Sequence, residues 1–310
     1  MVRHFLSLMD ISPEELKKII CEAEKFKKSR VRSSILNGRV LAALFLKPST
    51  RTRVSFEVAV RQLGGDFIFL RGDELQTARG EPLKDTARVL GRYVDGIIAR
   101  VYSHRDLETL AEYSGVPVIN ALSDMEHPCQ ALADMLTVKE KLGRLNGITL
   151  AFVGDGNNVC NSLILACTML GVNIRVATPE GYEPAEEIVK AALAMAPPET
   201  EIQILNSPEK AVEGADVVYT DVFVSMGDEA EANERLSVFL PRFQVNRELL
   251  NLAKPSAILM HCLPAHRGEE ITEDTLEGEH SVVWDQAENR LHAQKALLNF
   301  LYSRQDSSFK

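Results

Sequence analysis

Ile148-Thr-Leu-Ala-Phe-Val-Gly-Asp-Gly-Asn-Asn158 joins a predominantly apolar run to a glycine turn; a helical stretch follows to Leu170 and stops at Gly171. A second strand-like segment, Asn173 to Ala177, comes directly after. Strand, turn, helix and strand in this order predict a parallel sheet with right-handed crossovers. An apolar run without polar alternation is what a strand buried on both faces requires. The pattern continues outward in both directions. Downstream it predicts a helix over 185–195 and strands over 201–205, 216–219 and 257–260. Upstream it predicts a buried strand over 40–46, a helix from about Arg51 to the Gly64-Gly65 stop, and a strand over 67–70. A helix over 83–93 and strands over 96–99 and 116–119 complete that half. Ser12-Pro-Glu-Glu15 reads as a capped helix start, with the helix running to about Lys28. A long helix over 128–142, with Cys129, Leu132, Ala133 and Leu136 in helical register, connects the two halves.

The chain has 310 residues, which at about 150 per domain suggests two. The expected fold is α/β: two domains, each a parallel-sheet α/β sandwich, linked by long helices. The boundaries are 1–135 and 136–287, with the last helix, 288–310, packing back on the first domain. Binding sites in such sheets lie beyond the carboxyl ends of the strands.

A 45% hydrophobic and 25% charged composition is that of an ordinary globular chain, which excludes disorder and fibrous folds. The longest apolar runs are far too short to span a bilayer, and the first residues lack a signal-peptide pattern. The net charge of −9 argues against nucleic acid, so a soluble cytoplasmic protein is the expectation. Five cysteines, an odd number without C-x-x-C, argue against a disulfide framework or zinc ribbon. Cys160 and Cys167 read as small core residues of one helix. The seven histidines show no close metal spacing.

Lys47-Pro-Ser-Thr-Arg-Thr-Arg53 lies between a buried strand and a helix. Such a turn presents unpaired backbone N–H groups and the positive end of the helix dipole, to which this one adds hydroxyls and guanidinium groups. That combination suits a phosphate, although G-x-x-x-x-G-K is absent. The plainer reading is a serine helix cap with solvated arginines. A dinucleotide reading of Gly154-Asp-Gly156 fails because the third glycine position holds Val159. Asn157 and Asn158 offer amides to a carboxylate or carbonyl, or simply cap the helix. His127-Pro-Cys-Gln130 opens the connecting helix and places two polar side chains over its start. Arg100 ends a strand, as a solvated exit or an anion ligand. Asp221 suits an ammonium group, or belongs to a surface loop through Ser225, Met226 and Gly227. His261 and Cys262 are adjacent in a strand and therefore point to opposite faces, so His261 is poorly placed to activate the thiol.

Taken in order, Ser49-Thr-Arg-Thr52, Arg100, His127-Pro-x-Gln130, Asp221-x-x-x-Ser-Met-Gly227 and His261-Cys-Leu-Pro264 resemble the aspartate/ornithine carbamoyltransferase family, over essentially the whole chain. The Ser-Met-Gly loop, the His-Cys-Leu-Pro motif and the Gly-Asp-Gly-Asn-Asn turn resemble its ornithine branch. The resemblance implies transfer of the carbamoyl group of carbamoyl phosphate to the side-chain amine of L-ornithine, giving L-citrulline and phosphate in arginine metabolism. It implies that Ser49, Thr50, Arg51, Thr52 and Arg100 bind the phosphate. Arg100, Thr52 and His127 polarise the carbonyl, and Gln130 holds the carbamoyl NH₂. Gln76 reaches a neighbouring subunit's site, which suggests a homotrimer or a multiple of trimers. Asn158, Asp221, Ser225 and Met226 hold the α-amino and α-carboxylate groups of ornithine. Cys262 and the Leu263 carbonyl sit near the reacting amine, and Arg290 closes on carbamoyl phosphate. Arg100, His127 and Cys262 are the catalytic candidates, with no metal or cofactor. The alternatives are another amine acceptor, a dehydrogenase, or a ligand-binding relative without turnover.

Overall fold

The computed structural model describes residues 2–29, 33–225, 227 and 229–303. The chain forms two compact units, Met1–Leu136 with Asn289–Lys310, and Thr137–Glu288.

In the first unit the order is α1 (Pro13–Ser29), β1 (Val40–Phe45), α2 (Thr50–Gln62), β2 (Asp66–Arg71), α3 (Leu83–Leu90), β3 (Gly96–Arg100), α4 (His104–Ser114) and β4 (Val118–Leu122). Ser12 and Glu15 form a reciprocal cap at the start of α1: Glu15 N–H donates to the Ser12 hydroxyl, and Ser12 N–H to the Glu15 carboxylate. The sheet is parallel throughout, in the order β2-β1-β3-β4. From β1 the chain winds outward to β2, then crosses back and winds outward the other way through β3 and β4. The two directions part between β1 and β3, and the carboxyl ends of those two strands carry Lys47–Thr52 and Arg100. The β3–β4 register shifts between Ala99 and Arg100, which re-aims the Arg100 side chain.

α5 (Pro128–Leu142) carries the chain into the second unit. There follow β5 (Thr149–Val153), α6 (Asn158–Leu170), β6 (Asn173–Ala177), α7 (Glu186–Met195), β7 (Ile202–Leu205), α8 (Pro208–Val212) and β8 (Val217–Thr220). α9 (Ala232–Phe239), α10 (Arg247–Leu250), β9 (Ile258–His261), α11 (Glu273–Leu276) and α12 (Val283–Ser303) complete the chain. This sheet is also parallel, in the order β7-β6-β5-β8-β9, and its winding direction reverses between β5 and β8. α6 is buried on every side from Val159 to Leu170, including Cys160 and Cys167, as its predominantly apolar sequence demands, and Asn161, Ser162 and Thr168 are buried with it. Gly171, at φ +72°, ends it in the left-handed conformation. A Cβ on Gly156 would lie 2.2 Å from the Pro184 nitrogen, so this turn tolerates only glycine.

Three expectations shift. Residues 116–119 are a strand only from Val118, because Pro117 has no N–H for the ladder, and the strand continues to Leu122. The last helix begins at Val283 rather than 288; Val282-Val-Trp284 reads as strand-like, and tertiary packing overrides that preference. Its stretch beyond 303 lies outside the described residues. α4 is a helix the sequence reading leaves unassigned, although Ser103 caps it and Gly115 ends it. Among the described residues no helix is long and apolar enough to cross a membrane.

Candidate active site

The first unit gathers a cationic, hydroxyl-rich cluster at its switch point. Ser49 caps α2, accepting the Thr52 N–H at 3.4 Å, and its hydroxyl donates to Thr52 Oγ1 at 3.0 Å. The capping reading and the binding reading therefore describe the same side chain. Arg290, from α12, donates through Nη2 to Thr52 Oγ1 at 3.1 Å and through Nη1 to Gln130 Oε1 at 2.5 Å. Gln130 Nε2 donates in turn to Asp134 Oδ1 at 2.8 Å. Thr52, Gln130, Asp134 and Arg290 are all buried. Arg100 is only 4% exposed, which rules out the solvated strand exit.

His127 is buried as well. Burial holds its pKa well below the ordinary histidine value, and the Arg290 and Arg100 guanidinium groups push it further down. The imidazole is therefore neutral at physiological pH. Next to it Cys129 donates its thiol to the Asn120 carbonyl at 3.3 Å, and burial, partly opposed by Arg290, pushes its pKa up to about 12. Arg51 and Thr50 are exposed on the first turn of α2. A cavity of about 420 Å³ opens beside that turn, lined by Pro48, Ser49, Thr50, Arg53, Phe69 and Arg71 among others. Gln76 is exposed on the 76–79 turn, and among the described residues no side-chain hydrogen bond ties it to this cluster.

The second unit gathers an acidic counterpart at its own switch point. Asp221 follows β8 and is 7% exposed, which excludes a solvated surface loop. Its Oδ2 accepts from Asn157 Nδ2 at 2.8 Å, and its Oδ1 accepts the Cys262 thiol at 3.0 Å. That contact requires a protonated sulfur. Asn157 also caps α6 through Oδ1, so the amide expected to be either cap or ligand is a cap that orients the acid. Asn158 is the first residue of α6, and Ser225 is half-buried. Met226 lies outside the described residues.

The expected opposite facing of His261 and Cys262 does not hold: β9 ends at His261, strand alternation therefore does not extend to Cys262, and its sulfur lies within 4.8 Å of a His261 ring nitrogen. His261 pairs through Nε2 with Glu270 at 2.9 Å and accepts the Leu263 N–H on Nδ1 at 2.9 Å. The imidazole thus carries its proton on Nε2 and pins Leu263, the one non-glycine residue with positive φ (+59°) among those described. Sequence reasoning missed Glu270, and it missed Arg235. Arg235 ion-pairs with Asp155, donates Nε to the Phe223 carbonyl at 2.7 Å, and lies 4.9 Å from the Tyr182 ring centre. It thereby ties the Gly-Asp-Gly turn to the loop after Asp221. No local period signals such a pair, 80 residues apart.

Asp221, His261 and Cys262 each present one potential ligand atom within 4.8 Å of the others, as do His266, Glu269 and Glu270. The sequence pairs His261 with Cys262 but gives no sign of Asp221 beside them, and the close spacing of His266, Glu269 and Glu270 is not singled out in the sequence reading. In the first, all three residues are engaged in the hydrogen bonds described above.

Comparison with known proteins identifies both halves of the chain. The model for the carbamoyl-P binding domain of aspartate/ornithine carbamoyltransferases matches residues 3–140, and that for the Asp/Orn binding domain matches 146–301. The second match runs along the sequence into α12, whereas compactness returns residues from Asn289 to the first unit. The ornithine carbamoyltransferase of Pyrococcus horikoshii is 55% identical over 303 residues, covering 96% of this chain and 95% of its own. The solved structure of the Pyrococcus furiosus ornithine carbamoyltransferase superposes with a TM-score of 0.91 at 55% identity, covering 96% of each chain. That of the anabolic enzyme from Campylobacter jejuni gives 0.92 at 41%, covering 98% of this chain and 100% of its own. By full-length likeness and by both of its domains, this chain belongs to the aspartate/ornithine carbamoyltransferase family.

Proposed function

We propose that the chain transfers the carbamoyl group of carbamoyl phosphate to the side-chain amine of L-ornithine, releasing L-citrulline and phosphate. The supporting observation is a division of charge. The unit matched by the carbamoyl-P model carries the guanidinium and hydroxyl cluster, and the unit matched by the Asp/Orn model carries the buried Asp221 carboxylate. Names of relatives add direction: the P. furiosus and C. jejuni proteins are called anabolic, which supports a place in arginine biosynthesis.

In this reading residues 1–135 and the last helix bind carbamoyl phosphate, and 136–287 bind ornithine. Ser49, Thr50, Arg51 and Thr52 receive the phosphate at the α2 N-terminus with Arg100, and Arg290 turns onto it. The amine nitrogen attacks the carbonyl carbon, and the carbonyl electrons move onto oxygen. Thr52, Arg100 and neutral His127 donate to that oxyanion; the histidine contributes a hydrogen bond and the arginine contributes the charge. The carbon–oxygen bond to phosphate then breaks with its electron pair on phosphate, which takes the proton shed by the amine. Asp221, Asn158, Ser225 and Met226 hold the α-amino and α-carboxylate groups, and Cys262 with the Leu263 carbonyl steers the reacting amine. Exposed Gln76 serves a neighbouring protomer's site, so the working form is a cytoplasmic homotrimer.

The test is to mix the protein with carbamoyl phosphate and ornithine and measure citrulline and phosphate, with aspartate, putrescine, lysine and N-acetylornithine as competing acceptors. Ornithine-selective turnover is expected. Turnover with another acceptor instead would overturn the Asp221 assignment, and no turnover at all would reject the enzyme reading.

The amine must be neutral to attack. With a lysine-like pKa of about 10.4, roughly one molecule in 2,500 is neutral at pH 7. Because His127 is already neutral, its titration does not enter this window. At sub-saturating ornithine, kcat/KM is therefore expected to rise between pH 6.5 and 8.5, approaching about tenfold per pH unit. A flat profile measured by citrulline release would reject this account.

A further inference from the structure

We propose that Asp134 is a positioning residue that fixes which end of the Gln130 amide faces the carbamoyl group. The inference rests on the reading above, in which Gln130 meets the carbamoyl NH₂. An amide side chain has an acceptor end and a donor end of nearly the same shape. Only the acceptor end can pair with the carbamoyl NH₂; the flipped amide would set two donors against each other.

The structure supplies the device that prevents the flip. Asp134 is fully buried and lies one helical turn after Gln130 on α5, the i, i+4 spacing that brings side chains together. A carboxylate only accepts, so it pairs with Nε2, here at 2.8 Å. This turns Oε1 to the opposite side, where Arg290, which only donates, occupies it at 2.5 Å. An acceptor on one side and a donor on the other fix the orientation twice over. The second restraint is temporary. When Arg290 turns onto the phosphate it releases Oε1, the atom the carbamoyl NH₂ then needs. From that moment Asp134 alone keeps the acceptor end forward. Arg290 thus holds the carbamoyl position until substrate takes its place, and Asp134 ensures that the exchange is donor for donor.

The test compares two ligands that differ only in the group Gln130 reads. Carbamoyl phosphate and inorganic phosphate share the phosphate contacts, but only the first carries the NH₂. Binding of each is measured by calorimetry for the parent, Asp134→Asn, Gln130→Ala and the exchanged pair Gln130→Glu with Asp134→Asn. Asparagine is nearly isosteric but can present either end of its own amide, so Gln130 is free to flip. We expect Asp134→Asn to weaken carbamoyl phosphate by about 10- to 100-fold while inorganic phosphate changes by less than about threefold. In the exchanged pair the introduced asparagine donates to the introduced glutamate, which leaves an acceptor facing forward, and discrimination between the two ligands returns. A merely structural role would weaken both ligands together and would not be rescued by the exchange. Equal losses, or no loss, in Asp134→Asn overturn the proposal alone, provided Gln130→Ala does lose discrimination. If Gln130→Ala keeps it, the placement of Gln130 against the carbamoyl group is wrong and the proposal falls with it. Should Asp134→Asn not fold, the exchanged pair, which conserves charge and one hydrogen bond, decides: failure to discriminate as the parent does rejects the inference.

Discussion

Asp221→Asn is expected to raise the KM for ornithine by about 10²- to 10³-fold, equivalent to about 3–4 kcal/mol. Asp221 is almost fully buried, and each of its oxygens already accepts one hydrogen bond, from Asn157 and from Cys262. Its remaining lone pairs and its charge are what an ammonium group would meet. Asparagine keeps the shape but removes the charge, leaving a desolvated ammonium without a counterion. The asparagine amide also presents a donor where Asn157 or Cys262 needs an acceptor, so the alignment of the turn after β5 suffers as well. On the proposed division of roles carbamoyl phosphate binds the other unit, and its affinity should stay within about threefold of the parent, since sites without shared partners act nearly independently. Steady-state kinetics in ornithine with a separate binding measurement for carbamoyl phosphate provide the check. An unchanged KM would remove Asp221 from the ornithine site.

The parts of this protein that were legible in its sequence are those written in short-range pattern. The run 148–153, the glycine turn and the 173–177 run state a parallel unit locally, and β5, α6 and β6 follow them almost residue for residue. Chemistry placed just beyond a strand was equally legible, because both sheets reverse their winding where those strands end: Lys47–Thr52 and Arg100 flank one reversal, Asn157 and Asp221 the other. What pattern does not record is partnership across distance. Gln130 and Arg290 are 160 positions apart, Asn157 and Asp221 are 64 apart, and no periodicity couples them. Arg235 and Glu270 escaped for this reason, since each acts through residues of another segment. Asp134 is the instructive exception. Its i, i+4 spacing from Gln130 is visible in the sequence, but the spacing acquires meaning only once both side chains are known to be buried.

Arg51→Ala should weaken carbamoyl phosphate by about 10²-fold with no loss of folded stability beyond about 0.5 kcal/mol. The neighbouring Arg53→Ala should weaken it by less than about tenfold. The two arginines share a helix turn and a charge, so the difference must come from what each already does. Arg51 is exposed at the amino end of α2 and, among the described residues, is committed to no ion pair or ring contact, which leaves its planar fork free for two phosphate oxygens. Arg53 lies with its guanidinium 4.0 Å from the centre of the Phe69 ring, and moving it onto a phosphate would break a contact worth about 0.5–1 kcal/mol at an exposed site. The backbone N–H groups and the helix dipole serve both variants alike and so cancel in the comparison. Calorimetric titration at two salt concentrations measures the difference, and the affinity lost with Arg51 should itself shrink as salt screens the exposed charge. If Arg53→Ala proves the more damaging, the phosphate lies over the Phe69 side of the turn, and Arg51 is not the residue that clamps it.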